Sequence, residues 1–111
     1  MSSENGWYGV DLDGCLAHYG EWEGPTHIGE PIPAMVDRVK HWLEKGIDVR
    51  IFTARVSGKP DYAVRYAIEQ WCLKHIGQIL PITCCKDYGL LVLFDDRCRQ
   101  VELNTGRIIG L

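Results

Sequence analysis

The chain has 111 residues, of which 46% are hydrophobic and 24% charged, and a formal net charge of -3; this bounds it to one folded domain, residues 1–111, and excludes disordered, collagen-like and disulfide-dense classes. No apolar stretch approaches the ~20 residues of a membrane span, and Met1-Ser2-Ser3-Glu4-Asn5 lacks the basic-then-apolar layout of a signal peptide, so a cytoplasmic protein with no membrane partner is expected. The acidic balance argues against a broad basic surface for duplex nucleic acid, and five scattered cysteines without a C-x-x-C pair suggest neither a disulfide framework nor a zinc knuckle.

In chain order, Trp7 to Leu12 reads as a short buried strand that ends in carboxylates and breaks at Asp13-Gly14. Residues 15–32, rich in glycine, proline and polar groups, read as a long loop or small flap. Pro33 opens a helix whose apolar positions are Met35, Val36, Val39, Trp42 and Leu43, and Gly46 stops it. Ile47, Val49, Ile51 and Phe52 form the next strand, ending at Thr53-Ala54-Arg55. After Ser57-Gly58-Lys59-Pro60, Asp61 begins a second amphipathic helix with the stripe Val64, Ala67, Ile68, Trp71 and Cys72, closed by Gly77. Ile79 to Cys85 is expected as a third strand and Leu90 to Phe94 as a fourth, ending at Asp95-Asp96-Arg97. A short helix is expected near Gln100 to Leu103, followed by a turn at Asn104-Thr105-Gly106. Strands alternating with helices predict a parallel α/β sheet with ligands beyond the carboxyl ends of its strands.

That edge is where the acids fall. Asp11 and Asp13 end the first strand, Thr53 and Arg55 the second, Lys86 the third, and Asp95 with Asp96 the fourth. Converging carboxylates repel one another unless a cation neutralises them, and an oxygen-lined site of few ligands suits Mg²⁺. A carboxylate can attack phosphorus and form an acyl phosphate, and a second one two positions on can protonate the leaving oxygen and then activate water. Asp11 fits the nucleophile and Asp13 the acid/base. Donors for the phosphoryl charge are Thr53, backbone amides after Asp11, Lys86 and Arg55.

These residues carry a resemblance. Asp11-Leu12-Asp13-Gly14 behind an apolar strand, Thr53 ending the next, Lys86, and Asp95-Asp96 ending a later strand resemble the four motifs of the haloacid dehalogenase-like (HAD) hydrolase superfamily, from about Trp7 to Val101. Thr53-Ala54-Arg55, the Ser57-Gly58 loop and Asp95-Asp96-Arg97 are most similar to the 3'-phosphatase domain of polynucleotide kinase-phosphatase. The resemblance implies a Rossmann-like three-layer sandwich with a mainly parallel central sheet and an Mg²⁺-dependent phosphatase. It implies Asp11 as nucleophile and Asp13 as acid/base, with Thr53 and Lys86 on the phosphoryl group and Asp11, Asp13, Asp95 and Asp96 around the metal, Asp13 through its backbone carbonyl. Leu12, Gly14, Ala54, Arg55 and Lys59 complete the expected phosphate and substrate contacts.

Two departures stand out. Cys15 replaces the usual threonine after the first motif's glycine. Only nine positions separate Lys86 from Asp95, too few for a helix, and four linking residues reach at most ~14 Å. Either the third strand is vestigial or Lys86 enters by an unusual connection, with Arg55 and Lys59 as substitutes.

Trp7, Tyr19 and Trp22 offer a stacking platform for a base, against the plainer reading that they are core. Cys84 and Cys85, taken as strand neighbours, should point to opposite faces and pack. The length leaves no room for a separate cap domain, so water exclusion falls to residues 15–32, to a neighbouring subunit of a homo-oligomer, or to the substrate itself. That substrate is expected to be phosphorylated. A nucleic-acid end or nucleotide is one candidate and a small metabolite another, and a metal-binding regulatory module of the same fold is the alternative to an enzyme.

Overall fold

The computed structural model describes residues 5–59 and 61–110. Its sheet has four parallel strands, β1 (Trp7–Asp11), β2 (Asp48–Phe52), β3 (Ile82–Thr83) and β4 (Leu90–Phe94), in the order β3-β2-β1-β4. Helix α1 (Pro33–Glu44) joins β1 to β2; a 3-10 turn (Ala54–Val56) and helix α2 (Tyr62–His75) join β2 to β3. This is the expected α/β class, a Rossmann-like sandwich, and among the described residues it carries no separate cap domain.

Local chemistry sets the helix ends where the sequence signals them. Pro33 occupies the first turn of α1, where its missing N–H is not needed. Gly46, at φ +82°, lets the chain leave α1 through the left-handed region. At α2 the Asp61 carboxylate accepts the N–H groups of Ala63 at 2.9 Å and Val64 at 3.3 Å, satisfying donors the helix itself leaves open.

Both crossovers step in the same direction along the sheet, so right-handed connections put both helices on one face. Val36 and Val39 of α1 and Val64, Ile68, Trp71 and Cys72 of α2 accordingly share one core cluster with Val10, Val49 and Ile51. Full burial of a side chain such as Ile68 contributes about 2 kcal/mol. On the other face, the connection from β3 to β4 brings Asp87 to within 3.9 Å of Arg50 and Gly89 to the start of β1, where its carbonyl accepts the Trp7 N–H at 2.8 Å. Trp7 donates its indole N–H to Asp87 Oδ1 at 2.8 Å, and the Arg50 guanidinium lies 4.7 Å from the centre of the Trp7 ring.

Two expectations are corrected. The third strand is Ile82–Thr83 rather than Ile79 to Cys85. Ladder bonds run from Ile51 N–H to Pro81 O at 2.8 Å and from Thr53 N–H to Thr83 O at 2.9 Å. Beyond Thr83 its hydroxyl accepts the Cys85 N–H at 3.1 Å, turning the chain out of the ladder. The strand is thus vestigial, which resolves the spacing problem between Lys86 and Asp95. The segment Gln100 to Leu103 is not helical. A reversal with Asn104 at φ +63° and Gly106 at φ +80° brings Ile108 back to bridge Val101, and Glu102 N–H donates to Arg107 O at 2.8 Å.

Candidate functional site

Parallel pairing in register delivers the acids to one edge. Val10 pairs with Phe94 and Asp11 with Phe52, so Asp11 ends β1 between Thr53, just past β2, and Asp95-Asp96, just past β4. After Asp11 the Leu12 carbonyl accepts N–H bonds from Leu16 at 3.0 Å and Ala17 at 2.9 Å, and the Leu12 side chain is fully buried. Leu12 can therefore offer a ligand only its backbone. Gly14 sits at φ +87°, and a Cβ there would lie 2.8 Å from Asp96 Oδ2. Glycine is required both by the backbone conformation and by the approach of this loop to Asp96.

Oxygens of Asp11 and Asp96 and the sulfur of Cys15 lie within 4.8 Å of one another. Burial, then the bond to Asp96, then the charges of Asp95, Asp96 and Asp13 push the Asp11 carboxyl up to about 8. Burial, followed by the charge of Asp11, pushes the Cys15 thiol up to about 11, and its sulfur is 3.9 Å from Asp96 Oδ1. The thiol is neutral at pH 7 and, by its own shift, so is most of Asp11 in the metal-free site; a hard divalent cation would bind the carboxylate oxygens by displacing that proton and would relieve the repulsion among them. By that chemistry Asp11 and Asp96 fit a magnesium site.

A cleft of about 410 Å³ opens over this cluster, lined by Asp11, Asp13, Gly14, Thr53, Ala54, Arg55, Asp96 and Arg97, with Tyr19 and Trp22 from the flap. Thr53 is 2% exposed, and its Oγ1 accepts the Arg55 N–H at 3.2 Å, leaving its own hydroxyl hydrogen to donate. Asp13 is held by Arg55 in a two-pronged ion pair, Nε to Oδ2 and Nη2 to Oδ1, both at 2.9 Å. Asp95 Oδ1 accepts the Arg97 N–H at 2.8 Å, fixing the turn that carries Asp96, and Asp95 does not line the cleft.

The two lysines stand apart from this arrangement. Lys86 is exposed on the connection from β3 to β4, Lys59 is exposed on the loop after the 3-10 turn, and neither lines the cleft. Of the aromatic platform, Trp7 is core at 2% exposure, whereas Tyr19 and Trp22 are half-exposed on the cleft. Cys84 and Cys85 do not face apart on a strand; they follow β3 with their sulfurs 3.8 Å apart. Cys15, read from the sequence as a departure from the first motif, and Arg97, read as part of Asp95-Asp96-Arg97, have no site role in that reading; Cys15 lies beside Asp96 and Arg97 lines the cleft. The adjacency of β1 and β4 is what places them, since residues following the two strand ends must face each other.

The flap, residues 15–32, is tied down at its stem by His18 N–H to Glu30 O at 2.8 Å and Ile32 N–H to Leu16 O at 2.7 Å. Trp71 of α2 donates its indole N–H to Gly29 O at 2.9 Å. The flap roofs a second cavity of about 310 Å³, lined by His18, His27, Glu21, Glu23 and Glu30 and walled by Asp13 and Arg55.

No known family and no curated protein matches this chain. Among solved structures it is similar to a conserved protein from Bacteroides thetaiotaomicron, with a TM-score of 0.56 and 20% identity over 82% of this chain and 75% of that one. The likeness extends to the fold. No described helix is long and apolar enough to cross a membrane.

Proposed function

We propose that this chain is a magnesium-dependent phosphomonoesterase of the HAD type, working through an aspartyl-phosphate on Asp11. The observation that carries the reading is the meeting of Asp11 and Asp96 at the carboxyl edge of the sheet, in a cleft also lined by Asp13 and the buried hydroxyl of Thr53. Asp11 and Asp96 would hold the cation, which supplies charge neutralisation where a phosphoryl group has to approach carboxylates.

The chain's own residues do the rest. Asp13, paired as a carboxylate with Arg55 at rest, must first take a proton from solvent; an Asp11 oxygen then attacks phosphorus, the bond from phosphorus to the ester oxygen breaks, and Asp13 gives that oxygen its proton. Asp13 then takes a proton from water, which attacks the acyl phosphate and returns Asp11 and inorganic phosphate. Thr53 and the backbone amides beyond Asp11 donate to the phosphoryl oxygens. The substrate is a phosphomonoester, with polynucleotide 3'-phosphates, nucleotides and sugar phosphates as the classes to compare.

Asp11→Asn should abolish hydrolysis of p-nitrophenyl phosphate with the fold intact by circular dichroism; retained turnover refutes the mechanism. Chelation should also abolish it. Ester hydrolysis that survives chelation refutes the metal requirement; halide release from a haloacid in chelator, with no turnover of the ester, points instead to carbon–halogen displacement, which requires neither the cation nor Asp13. A second reading, a metal-binding regulatory module with little turnover, is favoured by the absence of any lysine lining the cleft among the described residues. Tight binding of beryllium fluoride with magnesium, lost in Asp11→Asn, would decide against it.

A further inference from the structure

Between the acid cleft and the flap stands one side chain whose donors are nearly all committed. Arg55 Nε and Nη2 donate to the two oxygens of Asp13 at 2.9 Å each, and Nη1 donates to the carbonyls of Pro25 at 2.7 Å and Gly24 at 3.4 Å. The guanidinium lies 4.9 Å from the centre of the Trp22 ring, and the side chain is 6% exposed. A guanidinium has five N–H groups. Four are placed, so Arg55 has at most one left for a substrate oxygen, and its expected part as a phosphate ligand gives way to a different one.

The contacts fall into two sets. On one side a planar fork meets both oxygens of Asp13, which fixes the rotation of that carboxylate as well as its position. On the other side every partner belongs to residues 22–25 of the flap. Asp13 and Arg55 also line both cavities, so the ion pair is the wall between the acid cleft and the space under the flap.

We propose that Arg55 is a positioning residue that makes seating of the flap and orientation of Asp13 a single coupled event; the catalytic consequence rests on the phosphatase reading above. With the flap seated, Pro25, Gly24 and Trp22 hold the guanidinium so that its fork faces Asp13. When the flap lifts, Arg55 gains water and Asp13 loses the partner that sets its rotation. The coupling runs both ways. Replacing Asp13 with Asn leaves a guanidinium of 6% exposure without its counter-charge, and lifting the flap is the route that returns it to solvent.

The test begins with hydrogen exchange of residues 15–32 in the metal-free protein, a readout that needs no turnover. Asp13→Asn and Arg55→Lys should each speed flap exchange at least about tenfold, the factor carried by a lost charge-assisted bond, and the double variant should add little to either. Unchanged flap exchange in Asp13→Asn, or full additivity in the double variant, overturns the coupling. Trp22→Ala alters a half-exposed position and serves where Asp13→Asn does not fold. Acting through Arg55 on Asp13, it should lower kcat for an alkyl phosphate, whose leaving group needs a proton, about tenfold more than for p-nitrophenyl phosphate. Equal losses on the two esters, or a loss confined to KM, overturn the proposal. Coupled flap exchange in a protein that turns over no ester would defeat the phosphatase reading alone, and turnover with uncoupled exchange would defeat this proposal alone.

Discussion

Replacing Asp11 with Asn keeps the shape of the side chain and removes the charge the site tolerates least, so the variant should be more stable than the natural protein. Burial and then the Asp96 contact, with the charges of Asp95, Asp96 and Asp13, move this carboxyl from 3.8 to about 8. Between those values the unfolded chain has released the proton while the folded protein still holds it. Folding stability therefore falls as pH rises through that window, and levels off above about 8. At about 1.4 kcal/mol per tenfold change the gap has a ceiling near 6 kcal/mol. Asp11 keeps partial contact with water, whose screening brings the expected effect to about 2 kcal/mol.

Asn carries no such penalty. In chelator at pH 8, Asp11→Asn should gain about 2 kcal/mol, or about 8 °C in Tm for a domain of this size, and at pH 4.5 the two proteins should nearly coincide. Urea midpoints and thermal melts from pH 4.5 to 9 measure the difference, which cancels the titration of all other groups. Millimolar magnesium should shrink it by neutralising the cluster in the natural protein. A variant no more stable than the natural protein at pH 8, or a difference independent of pH, refutes the account of an acid cluster held together against its own repulsion.

The same shift predicts that magnesium must displace a proton from Asp11. Its affinity should rise about tenfold per pH unit between pH 5 and about 8 and then level off, with proton release read by calorimetry in buffers of different ionisation enthalpy. Gly14→Ala places a Cβ against Asp96 at φ +87°; it should cost about 2 kcal/mol by denaturation and disrupt the Asp11–Asp96 approach. Thr53→Val leaves the part-buried Arg55 N–H without its 3.2 Å acceptor, an expected loss of about 1 kcal/mol in urea melts. Trp71→Phe removes the 2.9 Å bond to Gly29 O and part of a buried ring, so proteolytic nicking within residues 15–32 should quicken by about tenfold, beside a loss of about 1–2 kcal/mol in urea melts from the vacated core space.

What could be read in the chain was what local chemistry decides. Pro33 and Gly46 bound α1, Asp61 and Gly77 bound α2, and the apolar run Leu90 to Phe94 is β4, because caps and short apolar runs act within a few residues. The edge carrying Asp11, Thr53 and Asp96 was legible for the same reason, each lying at or just past the end of a recognisable strand. What was not legible depends on partners far along the chain. The pairing of Val101 with Ile108 competes with a local helix and wins once the reversal at Asn104 forms. Cys15 meets Asp96 only because β4 lies beside β1, a pairing that no local signal announces. Nothing in the spacing of Arg55 discloses that Pro25, Gly24 and both oxygens of Asp13 take up four of its donors.

The sheet order has a kinetic consequence. β1 pairs with β2 about forty residues on but with β4 only near the far end of the chain, Trp7 opposite Leu90 and Val10 opposite Phe94. Contacts of such separation close late in folding because loop closure is paid before they form. A half-folded chain with β1, α1 and β2 in place would hold Asp11 far from Asp96, as an ordinary carboxylate. The raised Asp11 carboxyl is therefore a clock for the last docking step: followed by stopped flow in a pH-indicator solution in chelator at pH 7, proton uptake should lag the helical far-ultraviolet circular dichroism signal and coincide with the arrival of β4.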